Sequence, residues 1–264
     1  MQDLKITLVQ ANQIWEDKLA NLAHYESLLE DVKETDLIVL PEMFHTCFSM
    51  HPERLSEKME NSIGLNWLIK QAETRNAAFY TSLIIEEEGK YYNRGVFIEP
   101  NGKITKYDKR KRFGLGGEDA VFSAGNQEKI VHYKGWNINL QICYDLRFPE
   151  NVRNYLVDGE ARYDVILYVA NWPERRATHW TTLLKARAIE NQAYVVGVNR
   201  VGEDANQLIY SGDSLLVSAL GETISSIEPK QEIVQTLVLK ATELTTIREN
   251  LPFLKDSLNR SFEN

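Results

Sequence analysis

The chain has 264 residues, of which 43% are hydrophobic and 26% charged, with a formal net charge of −8. That is ample apolar content for a large core, and the acidic balance argues against the basic face that a nucleic-acid binder presents. No apolar run approaches the ~18 residues needed to span a membrane, so the expected protein acts on neither nucleic acid nor bilayer.

Strands and helices alternate from the start. Leu4 to Val9 reads as a strand, and Asp17 to Val32 carries apolar residues at helical spacing. Leu37-Ile38-Val39-Leu40 is a continuous apolar run stopped by Pro41, the pattern of a strand covered on both faces. Ile63 to Arg75 predicts a second helix. Ala78 to Glu86 and Tyr91 to Glu99 predict strands around a hairpin at Glu87-Glu88-Gly89-Lys90, and Ile104 to Tyr107 predicts a short strand after the turn at Pro100-Asn101-Gly102-Lys103. Arg110 to Gln127 holds four glycines and little periodicity, so it predicts a long loop; a loop of that length in a compact domain is usually functional or disordered.

Strands then follow at Ile130 to Tyr133 and Trp136 to Ile142, with a helix expected from Pro149 to Val157. Val165 to Val169 repeats the buried-strand pattern, Thr178 to Asn191 predicts a helix, and Ala193 to Val198 another strand. Ser214 to Ser218 and Thr223 to Ile227 predict a hairpin, Ile233 to Leu239 a last strand, and the tail is partly helical. No composition break or Pro/Gly/Ser linker separates the halves. The expectation is one α/β domain over residues 1–264.

Two cysteines, Cys47 and Cys143, do not make a disulfide scaffold in a chain this long. His45-Thr46-Cys47 lacks a second pair at zinc spacing, so no metal is expected. Met1 to Ile6 has no charged-then-apolar leader pattern, which leads us to expect a reduced, cytoplasmic protein. Cys143 ends an apolar strand and enters a turn. A thiol there can face a cleft while nearby backbone N–H groups receive a developing anion. Read alone, a small buried hydrophobe is the stronger reading.

Two further segments change the balance. Glu42 lies just past the end of a buried strand, where ligands gather in α/β sheets. A half-buried carboxyl there is expected to have a raised pKa suited to acid–base work; its bland reading is a turn or helix cap. Tyr107-Asp108-Lys109-Arg110 places a lysine at the start of the glycine-bearing loop, where a fixed ammonium would stabilise an oxyanion and favour a neighbouring thiolate. Chemistry alone does not separate Lys106, Lys109 and Lys111, and a solvated basic loop is the competing reading. A carboxylate, a cation and a thiol together form a coherent hydrolytic set with no histidine required. His179 is expected on a helix face with a structural role, and Cys47 as a packing residue.

The chain resembles the nitrilase (carbon–nitrogen hydrolase) superfamily over almost its whole length. The matching pieces are Leu40-Pro41-Glu42-Met43-Phe44, Tyr107-Asp108-Lys109-Arg110, and the specific string Cys143-Tyr144-Asp145-Leu146-Arg147-Phe148-Pro149-Glu150. The resemblance implies Cys143 as nucleophile, Glu42 as general base, Lys109 as the oxyanion-stabilising cation, and Glu118 as a second glutamate near the site. Related chains often follow the lysine with a more apolar string than Arg110-Lys111-Arg112-Phe113, a departure that bears on the pocket mouth.

Within the superfamily the chain is most similar to the omega-amidases. Phe48-Ser49-Met50, Tyr168-Val169-Ala170-Asn171-Trp172-Pro173 and Ala186 to Gln192 carry this likeness. It implies release of ammonia from the terminal amide of 2-oxo acid amides such as 2-oxoglutaramate or 2-oxosuccinamate, through a cysteine thioester and without a cofactor. N-carbamoyl amines, deaminated peptide amides, nitriles and a non-catalytic association protein are the alternatives. An omega-amidase also needs an anchor for the substrate carboxylate, for which Arg112, Arg175, Arg176 and Arg200 are candidates, with Phe44, Tyr144 and Trp172 lining the site. The superfamily further implies a four-layer α-β-β-α sandwich assembled as a homodimer or larger homo-oligomer.

Overall fold

A computed structural model of the chain describes residues 1–257. The first part runs β1 (Leu4–Gln10), α1 (Lys18–Leu28), β2 (Leu37–Val39), α2 (Pro52–Leu55), α3 (Ile63–Arg75), β3 (Ala78–Glu87), β4 (Lys90–Ile98) and β5 (Ile104–Asp108). It continues through α4 (Glu118–Val121), β6 (Ile130–Tyr133), β7 (Trp136–Ile142), β8 (Leu156–Val157), β9 (Glu160–Ala161) and β10 (Val165–Ala170). The last elements are α5 (Ala177–Asn191), β11 (Tyr194–Asn199), β12 (Val201–Glu203), β13 (Ile209–Ser211), β14 (Leu215–Val217), β15 (Ile233–Leu239) and α6 (Ala241–Asn250). No helix among the described residues is long and apolar enough to cross a membrane.

Six strands form one sheet in the order β15-β1-β2-β3-β4-β5, and five form a second in the order β14-β11-β10-β7-β6. Strand alternation sorts the apolar residues into layers, because successive side chains leave opposite faces. Leu4, Ile6, Leu8, Val39, Tyr80 and Phe97 pack in the cluster that contains Leu140, Leu167 and Val196 of the second sheet. Val9, Ile38, Phe79 and Val96 point the other way, onto Leu22 and Tyr25 of α1 and Leu65, Leu68 and Ala72 of α3. Trp180, Leu184 and Ala188 of α5 join the cluster of the second sheet. The result is the expected four-layer α-β-β-α sandwich. Capping fixes the helix ends: Asp17 accepts the Ala20 N–H, Ser62 accepts the Leu65 N–H, and Asn76 closes α3 at φ 51°.

The direction of the strands places the chemistry. β1, β2 and β3 are mutually parallel, and so are β7, β10 and β11. Two antiparallel steps through β4 bring β5 back into line with β3. Glu42, Lys109, Cys143 and Asn171 therefore all follow carboxyl ends of strands.

Several expectations are corrected. No α-helix spans Pro149 to Val157; two 3-10 turns, Cys143–Arg147 and Pro149–Asn151, precede the β8–β9 ribbon. Asn154 bonds the backbone carbonyls of Tyr163 and Asn191, competing with helical bonds. Asp158-Gly159, both at positive φ, is a tight-turn signal. Thr223 to Ile227 is no strand, only a single bridge from Thr223 to Val217, because the Ser218 hydroxyl and backbone fold Leu220 to Glu222 into a turn. The expected loop Arg110 to Gln127 contains a 3-10 turn and α4.

Candidate active site

Lys109 directly follows β5, and Arg94 of β4 braces the strand end with two hydrogen bonds to the Asp108 carboxylate, at 2.6 and 3.0 Å. The Lys109 N–H donates to the Asn93 carbonyl at 3.0 Å, while its own carbonyl accepts the Gly125 N–H at 2.9 Å. A Cβ on Gly125 would collide with the Asp108 carbonyl oxygen. We therefore expect Gly125→Ala to shift Lys109 and lower kcat by ~10-fold or more, as small displacements of reacting groups do. Steady-state kinetics beside a melting curve check this; wild-type values in both would refute it.

Cys143 stands at the first position after β7 with φ 43°, in the left-handed region, a conformation that costs about 1–3 kcal/mol and persists only where neighbours enforce it. Asp145 is the enforcer. Its Oδ2 accepts the Ile142 N–H at 3.0 Å and the Tyr107 hydroxyl at 2.7 Å, and its Oδ1 accepts the Lys111 N–H at 2.9 Å. One buried carboxyl thus ties the cysteine turn to the lysine segment.

Lys109 Nζ donates to Glu42 Oε1 at 2.9 Å and to Glu118 Oε1 and Oε2 at 3.0 and 2.9 Å. All three side chains are at most 1% exposed. Glu42 Oε2 accepts the Asn171 N–H at 2.9 Å, and the Asn171 side chain donates to the Glu42 carbonyl at 2.6 Å. Glu118 Oε2 also accepts the Phe113 N–H at 2.6 Å. Glu42 is wholly buried, deeper than the half-buried setting expected of it.

Cys143 is 8% exposed. The expected pull of Lys109 toward a thiolate is present but outweighed. Burial pushes the Cys143 thiol well above its ordinary value, the Glu42 charge adds to this, and Lys109 only partly offsets it. One cation facing two carboxylates leaves no surplus positive charge for a sulfur anion. Burial opposes the charge on Lys109, yet Glu118 and Glu42 hold its ammonium above the ordinary lysine range. Both directions favour a neutral thiol beside a fixed ammonium. Alkylation of Cys143 by iodoacetamide should keep accelerating between about pH 7 and about 9.5, past the ordinary cysteine range. A plateau reached below about pH 8 would contradict the neutral thiol.

Cys143 and Lys109 open onto a cavity of about 340 Å³, whose lining includes Tyr144, Asn171, Trp172 and Arg176, a size suited to a small ligand. Phe44 is not part of it. Met43 takes φ 46°, which turns Phe44 into the helix layer, stacked 4.9 Å from His45 and packed near Trp67. Phe48 and Phe113 supply the apolar wall instead. Of the candidate arginines, Arg175 and Arg176 line the cavity. Arg112 is spent on the Asp119 and Phe122 carbonyls, and Arg200 is fully buried, bonded to the Val201 and Gln13 carbonyls. His179 is exposed, its Nδ1 3.4 Å from the Arg147 guanidinium. Cys47 is buried, and burial pushes its thiol up to about 11.

Arg147 belongs to the cavity and escaped the sequence reading. It lies 4.6 Å over the Trp172 ring, and Arg176 lies 5.3 Å over Phe113. Among the described residues, none of Arg147, Arg175 and Arg176 forms an ion pair. Burial and the charges of Arg175 and Arg147 lower Arg176 from the ordinary guanidinium value. The cavity's acid, Asp204, is occupied by the Tyr210 hydroxyl and the Asn206 and Leu208 N–H groups.

The carbon–nitrogen hydrolase family model matches residues 5–248. The omega-amidase YafV of Yersinia enterocolitica is 42% identical over 257 residues, covering 97% of this chain and 98% of that protein. The 2-oxoglutaramate amidase of Paenarthrobacter nicotinovorans is 31% identical over 258 residues, with coverages of 93% and 85%. Among solved structures, XC1258 from Xanthomonas campestris, described as a CN-hydrolase superfamily protein with an arsenic adduct in the active site, superposes with a TM-score of 0.95 at 40% identity over 98% of both chains.

Proposed function

The chain belongs to the carbon–nitrogen hydrolase family, and from that premise we propose that it is an omega-amidase, hydrolysing the terminal amide of a short 2-oxo acid amide such as 2-oxoglutaramate or 2-oxosuccinamate. The observation that carries this substrate class is the group of three arginines, without ion partners among the described residues, in the lining of the cavity that Cys143 opens onto. Guanidinium groups crowded without a counter-ion suit a ligand that brings its own carboxylate. The names of the relatives at 42% and 31% identity support the same reading.

In this mechanism Glu42 takes the Cys143 proton as sulfur attacks the amide carbonyl carbon. The oxyanion is held by a Lys109 N–H and a backbone N–H near Tyr144. An ammonium has three donors; one serves Glu42, one is shared by the two Glu118 oxygens, and the third is left for the oxyanion. Glu42 returns the proton to nitrogen, ammonia leaves, and a thioester remains on Cys143. Water then enters, gives a proton to Glu42 and attacks the thioester carbon; as the C–S bond breaks, Glu42 returns that proton to sulfur, releasing the 2-oxo acid and the thiol. Trp172 and Tyr144 form walls around the acyl chain. The proposal includes a cytoplasmic homodimer or larger homo-oligomer acting as one catalytic domain over residues 1–264.

The test is ammonia release from oxo-acid amides against neutral amides of equal length. Arg176→Gln or Arg147→Gln should raise KM ~10-fold or more for the acids, the scale of losing a charged hydrogen bond, and change it little for neutral amides. If Arg147, Arg175 and Arg176 can each be replaced without a change in KM, the clamp is wrong.

A further inference from the structure

Asn93 sits in β4 at 1% exposure, surrounded by the acid–base machinery. Its Nδ2 donates to Glu42 Oε1 at 2.7 Å and to Glu118 Oε1 at 3.2 Å. Lys109 Nζ bonds those same two oxygens. Two donors and two acceptors thus close a ring, and the Asn93 carbonyl holds the Lys109 backbone as well. The consequence falls on Glu42. Its Oε1 is engaged by both Lys109 and Asn93, while Oε2 meets the single N–H of Asn171, a residue that lines the same cavity as Cys143.

We propose that Asn93 is a positioning residue that commits Glu42 Oε2 to proton transfer with Cys143 by holding Oε1 in the ring with Lys109 and Glu118. An ionised carboxylate has two oxygens of equal basicity. Two donors on one of them make it the poorer proton acceptor and fix the rotation of the group, so the proton moves between sulfur and Oε2. The inference rests on the hydrolytic reading of Cys143 and Glu42, and adds to it the residue that orients the base. An amide is suited to this place because it is neutral at every working pH and adds no charge to the two carboxylates.

The test compares wild type with Asn93→Asp and Asn93→Ser. Two rates are measured against pH: ammonia release from 2-oxoglutaramate, and alkylation of Cys143 by iodoacetamide. Asn93→Ser loses the second donor. It should lower kcat by ~10–100-fold, the scale of misplacing a reacting group, with KM within about threefold of wild type. Asn93→Asp keeps the volume and adds a third carboxylate around one lysine. That should make Glu42 harder to ionise, so the acid limb of kcat/KM moves up by about one pH unit or more. An acid limb that stays in place in Asn93→Asp, with kcat falling only as far as the melting temperature falls in both variants, would assign Asn93 a purely structural role and overturn the proposal. If Asn93→Ser fails to fold, the isosteric Asn93→Asp profile decides alone; if neither folds, ionisation at this position is not separable from folding and the positioning role is rejected. Should wild type release no ammonia from any amide while Cys143 alkylation still responds to Asn93, the amidase reading fails and the role of Asn93 stands.

Discussion

Cys143→Ala is expected to abolish ammonia release, by roughly 10⁶-fold on the scale set by removing the nucleophile of a covalent hydrolase. The reason is that no other group at the site replaces sulfur. Glu42 and Glu118 are held by Lys109, and Cys47 is a buried thiol outside the cavity lining. The fold should survive, since truncating a small side chain at a left-handed position removes little packing. His179→Ala is the control. A cysteine–histidine dyad would lose activity with either residue, whereas an exposed imidazole whose hydrogen-bond partner among the described residues is Arg147 should leave kcat within about twofold of wild type, as surface substitutions usually do. A large loss in His179→Ala would favour the dyad.

Lys109→Met is expected to have the largest combined effect on stability and rate. The ammonium is the shared partner of two wholly buried carboxylates, and removing one member of a buried ion group costs about 3–5 kcal/mol because the remaining charges lose compensation. Loss of an oxyanion donor takes a further 10²–10³-fold, approximately, from kcat. The sign of the stability change can be tested within the site. Without Lys109, Glu42 and Glu118 repel across Asn93, so Glu118→Gln added to Lys109→Met should recover part of the lost stability without restoring turnover. Urea denaturation of the single and double variants measures both. A single variant within about 1 kcal/mol of wild type, the ordinary range for an exposed lysine, would mean that the buried ion group is not built as described.

The parts of this architecture that repeat with a short period were legible in the amino-acid sequence. Alternating strands, the apolar run Leu37 to Leu40 and the helix Ile63 to Arg75 follow from local spacing; Glu42 and Cys143 stand out because each follows a strand, while the choice of Lys109 over Lys106 and Lys111 comes from the family resemblance. Arg147 and Asn93 gave no such signal. Asn93 bonds partners 51 and 25 residues away, and Asn171 bonds Glu42 across 129 residues. A clue was present in Tyr92-Asn93-Arg94, polar residues inside a strand otherwise bound for the core, since a buried polar group requires partners. Phe44 failed for the opposite reason. Its position two residues from Glu42 in the chain predicts the same wall, but the left-handed turn at Met43 sends it behind the sheet. Arg200 shows that an arginine next to a strand end can be a core scaffold rather than a ligand group, a distinction that lies in its backbone acceptors and not in its neighbours in sequence.

Turnover by this route requires a covalent bond between substrate and the Cys143 sulfur, and one measurement addresses that directly. Acid quench during steady-state turnover of 2-oxoglutaramate, followed by peptide mass analysis, should find the acyl group on Cys143 and no other residue, in a form that hydroxylamine removes. Continued ammonia release with every peptide unmodified, together with turnover by Cys143→Ala, would contradict it.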